Sequence, residues 1–245
     1  MHSDSLVIIP TYNEIENVED IIIAVFQLKK PFHVLIVDDN SPDGTAQKVR
    51  ELQKEHPEQL HLEVRKEKSG LGTAYIHGFK WAIKHDYEYI FEMDADFSHN
   101  PRDLVRLYNV CVNQQADVTI GSRYVKGVNV VNWPLQRVLL SYGASIYVKL
   151  ITGMKIDDPT AGFVCYRRKV LESINLDNIK FVGYAFQIEM KFKAHLRKFK
   201  ILEVPIIFQD RTKGKSKMNG KIINEAVFGV LSLKWKSLFN KAELL

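Results

Sequence analysis

The stretch FEMDADFSHNP, Phe91 to Pro101, places Asp94 and Asp96 one residue apart where an apolar, strand-like run breaks into a loop. Ionised carboxylates are costly to bury unless something answers them, so the pair asks for a partner. Hard divalent cations take oxygen ligands, and Mg²⁺ or Mn²⁺ commonly uses one or two carboxylates completed by phosphate oxygens and water. In an extended segment both side chains face the same way, and the small Ala95 between them lets a ligand approach closely. The competing reading is an Asp-rich turn or helix cap, for which Asp and Ser are common. A second acidic pair, Asp38-Asp39, ends another apolar run. Carboxylates there suit the N–H and O–H donors of a nucleobase or ribose. Together the clusters predict a metal-bound diphosphate as the partner of the charge.

Such residues need elements to hold them. Leu6–Ile9, Val34–Val37, Leu60–Val64, Tyr89–Met93 and Val118–Ile120 are short, apolar and bounded by turn residues, as strands buried on both faces should be. Helical patterns fall between them at Ile15–Leu28, Thr45–His56, Leu71–His85 and Pro101–Asn113, the last opened by an Asn100-Pro101 start signal. The alternation predicts an α/β fold with right-handed crossovers and a mainly parallel sheet. In such sheets ligands bind beyond the carboxyl ends of the strands. There the chain carries Pro10-Thr11-Tyr12-Asn13-Glu14, Asp38-Asp39-Asn40, Asp94-Ala95-Asp96 and Gly121-Ser122-Arg123-Tyr124, so all four should open on one rim.

The second half is less regular. Leu135–Thr152 and Tyr184–Phe199 read as helices, Phe163–Tyr166 and Ile201–Phe208 as strands, the latter near an edge because of Pro205. A basic loop, RTKGKSKMNG, and a mixed apolar and lysine-bearing tail follow. The expected organisation is one catalytic domain, 1–220, with a C-terminal amphipathic helical extension, 221–245.

Length and composition set bounds. The 245 residues are 46% hydrophobic and 26% charged, which suits a globular chain with one sizeable core. The net charge of +5 fits anionic small molecules or a membrane surface as well as nucleic acid. Cys111 and Cys165 lack metal-ligand spacing and are expected as buried thiols in a reducing compartment. MHSDSLVIIP has no basic stretch or cleavage site, so no signal peptide is expected. No apolar run reaches about 18 residues, so no membrane span is expected either.

Some motifs point elsewhere. KSGLGTAY contains Gly70 and Gly72 but lacks the third glycine of a dinucleotide-binding loop and does not follow the first strand. His77, His85, His99 and His195 share no metal-ligand spacing, and only His99 lies beside the acidic pair. RTKGKSKMNGK resembles a nucleic-acid patch in charge, but without aromatic stacking residues it suits a loop over phosphates, and no nucleic-acid partner is expected.

Six stretches, PTYNE (Pro10–Glu14), VDDNSPDGT (Val37–Thr45), KSGLGTAY (Lys68–Tyr75), MDADFSHNP (Met93–Pro101), GSRY (Gly121–Tyr124) and RTKGKSKM (Arg211–Met218), occur in this order. The set resembles family 2 glycosyltransferases, and more narrowly the dolichyl- and polyprenyl-phosphate mannose synthases. The resemblance implies a nucleotide-diphospho-sugar transferase fold of the GT-A type. It also implies metal-dependent, inverting transfer of mannose from GDP-mannose to a polyprenyl monophosphate. Another nucleotide sugar such as UDP-glucose, or a glycan hydroxyl acceptor, is the alternative, and a catalytically silent nucleotide-binding protein is a third.

By the same resemblance, Pro10, Tyr12 and Glu14 line the nucleoside pocket, and Val37 and Asp39 contact base and ribose. Asp94, Ala95 and Asp96 flank the diphosphate and sugar, with Asp96 the direct ligand of Mg²⁺ or Mn²⁺, Asp94 beside it, and Ser98 where some relatives place a Gln ligand. Arg123, Arg137, Arg211 and Lys217 match positions that hold donor and acceptor phosphates, Arg123 and Arg137 counting with Asp96 as catalytic. An acceptor that resides in a bilayer implies peripheral association with the cytoplasmic face of a membrane, or a separate membrane-protein partner. Leu135–Thr152 and the tail around Trp235 are the segments to meet it.

Overall fold

The computed structural model describes residues 3–210 and 221–239. Seven strands form one sheet in the order β3-β2-β1-β4-β7-β5-β8: β3 (Leu60–Val64), β2 (His33–Asp38), β1 (Ser5–Thr11), β4 (Tyr89–Glu92), β7 (Val164–Arg167), β5 (Val118–Ser122) and β8 (Ile201–Pro205). All pair in parallel except β7, which runs antiparallel to both its neighbours. Leu6 and Ile8 of β1 enter one core cluster, and Val7 and Ile9 enter the other. That period of two explains why β1 reads as a continuous apolar run: both sheet faces are covered.

One face carries α1 (Val18–Phe26), α2 (Thr45–Glu55) and α4 (Asp103–Asn113), whose Ile21, Ile22, Leu52, Leu104 and Leu107 share one core cluster with Val34 and Ile36. The other carries α3 (Leu71–Lys84) and α7 (Tyr184–Leu196), with Phe79 and Phe186 in the core. Gly78 permits the approach of α3, because a Cβ there would lie 2.7 Å from Ile8 Cγ2. The helix α5 (Leu135–Thr152) and the helix α8 (Lys221–Phe239) pack against each other, and α8 also packs against α7.

Several boundaries differ from expectation for local reasons. Val18 opens α1 because the Glu14 carbonyl accepts the Asn17 and Val18 N–H groups and closes a turn first. Ile201–Phe208 is two strands: β8 ends at Pro205, and β9 (Phe208–Gln209) pairs instead with β6 (Val130–Val131). β8 occupies the sheet edge, the place where a proline costs least. A short α6 (Arg168–Ser173) follows β7. Cys111 and Cys165 are buried free thiols with their sulfurs 3.9 Å apart.

Candidate active site

At the ends of β1 and β2 the two adjacent aspartates have different roles. Asp38 is fully buried and saturated: it accepts from Thr11 Oγ1 at 2.8 Å, the Ser41 N–H at 2.8 Å and Ser41 Oγ at 2.6 Å. It fastens the two strand ends together. Asp39 meets the Arg65 guanidinium, Nε to Oδ1 at 2.6 Å. Burial pushes the Asp39 carboxyl above its ordinary range despite that cation. Arg65 also donates to Thr73 Oγ1 at 2.7 Å and reaches the Gly70 carbonyl, which ties Asp39 to the first turn of α3 and the loop before it. Lys68 of that loop lies over the Tyr12 ring at 4.4 Å. Pro10, Tyr12 and Glu14 are half-buried beside this cluster, whereas the Val37 side chain points into the core, which leaves its main chain for any ligand contact.

Beyond β4, the Asp94 side chain is 39% exposed, while Asp96, Ser98 and His99 are nearly buried. Asp96 Oδ1 accepts the Ser98 N–H at 3.1 Å, and Phe97 between them takes a left-handed φ of 59°. Ala95 packs into the core and so points away from the pair it separates. His99 Nδ1 accepts the Asp94 N–H at 3.3 Å and its ring stacks on Phe163 at 4.8 Å. Burial holds the imidazole near a pKa of about 4 against the pull of Asp96, so it is neutral and accepts. Beneath this loop Glu92 is fully buried, and burial pushes its carboxyl up to about 8 although the Lys191 charge opposes the shift.

Arg123 follows β5. Its Nε and Nη2 donate to the two carboxylate oxygens of Asp158, both at 2.7 Å, and Nη2 also reaches Thr160 Oγ1 at 2.8 Å. Burial works to raise the Asp158 carboxyl, but the charge and hydrogen bonds of Arg123 outweigh it and hold the group below its ordinary range. The turn carrying Asp158 is itself held. Glu203 on β8 accepts the Asp157 and Asp158 N–H groups at 2.7 and 2.9 Å, and the buried Lys191 ammonium donates to the Ala161 carbonyl at 2.6 Å.

Arg137, on the first turn of α5, forks onto Asp210 with both contacts at 3.0 Å and lies over the Trp133 ring at 4.0 Å. The Gln209 N–H donates to the Ser98 carbonyl at 3.3 Å, which joins this group to the β4 loop. Phe208 packs edge-on against both His99 and Trp133, and the Arg123 charge is felt at His99. The structure therefore gathers Asp94, Asp96, Ser98, Arg123 and Arg137 around one rim. Arg211 and Lys217 lie outside the described residues.

The donor set fits a hard divalent cation. Asp94 and Asp96 offer anionic oxygens, and the buried Ser98 Oγ has no hydrogen-bond partner among the described residues. No group of three or more His, Cys, Asp or Glu side chains converges among the described residues. An ion held by one or two carboxylates takes the rest of its shell from phosphate oxygens and water. Arg65, Asp158, Lys191 and Glu203 are absent from the motifs the sequence singles out. Only Asp157-Asp158-Pro159, an acidic pair before a proline, hints at one of them.

A mainly parallel sheet with acids and arginines at its carboxyl edge is the fold of nucleotide-sugar transferases. It is shared with a mannosyltransferase from Pyrobaculum calidifontis in complex with GDP-Man and Mn²⁺, at a TM-score of 0.56 and 19% identity over 88% of this chain and 59% of that one. It is shared also with a glucosyl-3-phosphoglycerate synthase from Mycobacterium tuberculosis, in complex with Mn²⁺, UDP and glucosyl-3-phosphoglycerate, at a TM-score of 0.64 and 14% identity over 95% of this chain and 78% of that one. The chain belongs to glycosyl transferase family 2, whose model matches residues 6–174. Among curated relatives, it is 46% identical to a polyprenol monophosphomannose synthase of Mycolicibacterium smegmatis, over 92% of this chain and 85% of the relative. It is 42% identical to an undecaprenyl-phosphate mannosyltransferase of Micrococcus luteus, over 95% and 96% respectively. A dolichol-phosphate mannosyltransferase of Pyrococcus furiosus is 38% identical over 94% of this chain, which spans 64% of that protein's length.

Asp158→Asn should destabilise the protein by about 3–5 kcal/mol in urea unfolding, because it removes the buried carboxylate that forks onto the Arg123 guanidinium. The sign with pH follows. The folded carboxyl lies below its ordinary value of 3.8, so its contribution is present above that value and is lost as pH falls through the folded one. The gap between wild type and variant should therefore hold at neutral pH and narrow only in acid. A cost below about 1 kcal/mol at pH 7 would show that the pair does not organise the rim.

Proposed function

We propose that this protein transfers mannose from GDP-mannose to a polyprenyl monophosphate, inverting the anomeric centre to give polyprenyl-phosphate β-mannose. The observation that carries this reading is the 46% identity to a polyprenol monophosphomannose synthase across 92% of the chain. The rim supports it chemically. A phosphate monoester is already ionised at neutral pH, so its oxygen attacks the anomeric carbon without a general base. A new carbon–oxygen bond forms as the bond from that carbon to the diphosphate breaks, and GDP leaves from the opposite face.

Each residue then has a task. Tyr12, Glu14 and the main chain at Val37 bound the nucleoside, with Asp39 held in place by Arg65. Asp96 and Asp94 would hold Mg²⁺ or Mn²⁺, with Ser98 behind them; when bound, the ion offsets the charge of the departing diphosphate. Arg137 and Lys217 receive the acceptor phosphate, and Arg211 the donor. Arg123, neutralised by Asp158, sets the shape of the rim between donor and acceptor and supplies hydrogen bonds more than net charge.

A long-chain acceptor also needs a route from a bilayer. From Arg137, α5 carries an outward stripe of Leu135, Leu139, Tyr142, Ile146 and Leu150 at helical spacing, with Leu150 76% exposed. The neighbouring α8 exposes Phe228, Leu231, Trp235, Leu238 and Phe239. No described helix is long and apolar enough to cross a membrane. The proposed role of this joint face is to lie in the interfacial layer, Trp235 at the headgroups and the prenyl chain along α5. On this reading the extension from 221 onward is a membrane-contact element packed on the catalytic domain.

Radiolabel transfer from GDP-mannose to a short polyprenyl phosphate tests the chemistry. Asp96→Ala should lower turnover by at least about 10²-fold, the order expected when charge stabilisation of a leaving group is lost, with the fold unchanged by circular dichroism. Arg137→Ala should raise the apparent KM for the lipid phosphate more than that for GDP-mannose. Full activity in Asp96→Ala, or equal effects on both substrates in Arg137→Ala, would refute these assignments.

Vesicle sedimentation tests the face. The double variant Leu139→Glu, Trp235→Glu should lose most binding to liposomes while keeping activity on a short, water-soluble acceptor. Undiminished liposome binding would assign membrane contact to another surface.

A further inference from the structure

Beneath the Asp94–Asp96 loop, four elements send polar side chains into one buried layer. Glu92 on β4, Tyr166 on β7, Tyr75 on α3 and Gln187 on α7 are each no more than 2% exposed. Both Glu92 carboxyl oxygens, both tyrosine hydroxyls and Gln187 Nε2 have no hydrogen-bond partner among the described residues. Ile90 stands opposite Tyr166 in the β4–β7 pairing, and Glu92, two residues on, points to the same sheet face. Tyr166 packs edge-on against Phe79 of α3 at 5.6 Å, and Tyr75 stacks on Phe186, the chain neighbour of Gln187, at 6.0 Å. The Glu92 charge is felt at both tyrosine hydroxyls, and Tyr75 feels Asp94 and Asp96 as well.

These atoms are near enough to influence one another and too far apart to bond directly. They are also complementary, with three N–H or O–H donors around two carboxyl oxygens. Lys191 does not answer the acid by a direct bond. Its ammonium is engaged by the Ala161 carbonyl at 2.6 Å, Gln187 Oε1 at 3.0 Å and the Gln187 carbonyl at 3.3 Å. Buried polar groups in folded proteins are satisfied almost without exception, and a water molecule can accept from some of these groups while donating to others. There is room beside them: a Cβ added at Gly162 would meet nothing nearer than Gln187 Nε2, at 3.9 Å.

We propose that Glu92 is a positioning residue for the rim, acting through buried water that it shares with Tyr75, Tyr166 and Gln187. The connection runs in two directions. Toward the acid loop, Glu92 closes β4 two residues before Asp94, and Tyr75 is set toward both. Toward Arg123, Gln187 Oε1 accepts from Lys191, which holds Ala161 in the passage that bears Asp158. Water there would fasten the two halves of the rim to each other from below. The water site stands independently of the transferase reading, whereas its effect on turnover rests on that reading.

Thermal unfolding of the full chain tests the site. Removing a buried hydroxyl that bonds to nothing is neutral or stabilising, whereas removing one that holds a water is destabilising. Tyr166→Phe and Tyr75→Phe should therefore each lower the melting temperature by about 2–4 °C. An unchanged or raised melting temperature in either variant would overturn the proposal. Mannose transfer per folded molecule tests the positioning. Tyr166→Phe, which alters no residue of the rim, should lower kcat by about tenfold and leave the KM for GDP-mannose within about twofold. Glu92→Gln, which keeps an oxygen for the water, should stay within about threefold of wild type in kcat, while Glu92→Met falls further. Should Glu92→Met fail to fold, Tyr166→Phe carries the test alone. A lower melting temperature with unchanged kcat in Tyr166→Phe would show a merely structural water and sink the positioning role. If the wild type transfers no mannose, the transferase reading fails, and the melting temperatures still decide the site.

Discussion

A carboxylate closed off from solvent must be matched by a cation or give up its charge, and in this fold Asp158 is matched by Arg123. The fork of two short bonds fixes the guanidinium in direction as well as distance. Around it, Glu203 reaches from the sheet edge to hold the turn that bears Asp158, and Lys191 reaches from α7 to hold the Ala161 carbonyl. The irregular passage between α5 and β7 is thereby joined to the ends of β5 and β8. Its position lets β7 enter the sheet against the direction of its neighbours and close the gap between β4 and β5.

That pairing changes what the rim has to offer. Arg65, Arg123 and Arg137 each face a carboxylate supplied by the chain itself. They shape the edge and donate hydrogen bonds, but much of their charge is answered before any ligand arrives. A diphosphate brought to this edge, as the proposed function requires, calls for further positive charge, of which Lys68 over the Tyr12 ring is one described source. Asp94 and Asp96, beside a Ser98 hydroxyl that has no hydrogen-bond partner among the described residues, are where the proposed function puts a metal ion.

The parallel half of the fold was legible because its information is local. Apolar runs, turn residues and helical spacing each occupy a few neighbouring positions, and the strand ends they define place Asp39, Asp94 and Arg123 on one edge. The partners of those residues were not legible, since Arg65 lies 26 positions from Asp39, Asp158 lies 35 from Arg123, and Asp210 lies 73 from Arg137. Nothing in a single sequence marks such pairs. The adjacent Asp38 and Asp39 look alike in sequence, yet one is saturated by hydroxyl and backbone donors and the other is set by a guanidinium. Ile201–Phe208 reads as one strand, but Pro205 ends the ladder and sends Phe208 to a second, two-stranded sheet beside His99.

In the proposed function the cation and the nucleotide complete each other at this edge, where Arg65, Arg123 and Arg137 already face carboxylates of the chain. Titration calorimetry of Mn²⁺ into the protein, with and without saturating GDP, measures that coupling directly, and linkage requires the same factor from GDP titrated with and without Mn²⁺. Each should bind at least about tenfold more tightly in the presence of the other, a coupling of about 1.4 kcal/mol. Equal Mn²⁺ affinity whether or not GDP is present would contradict it.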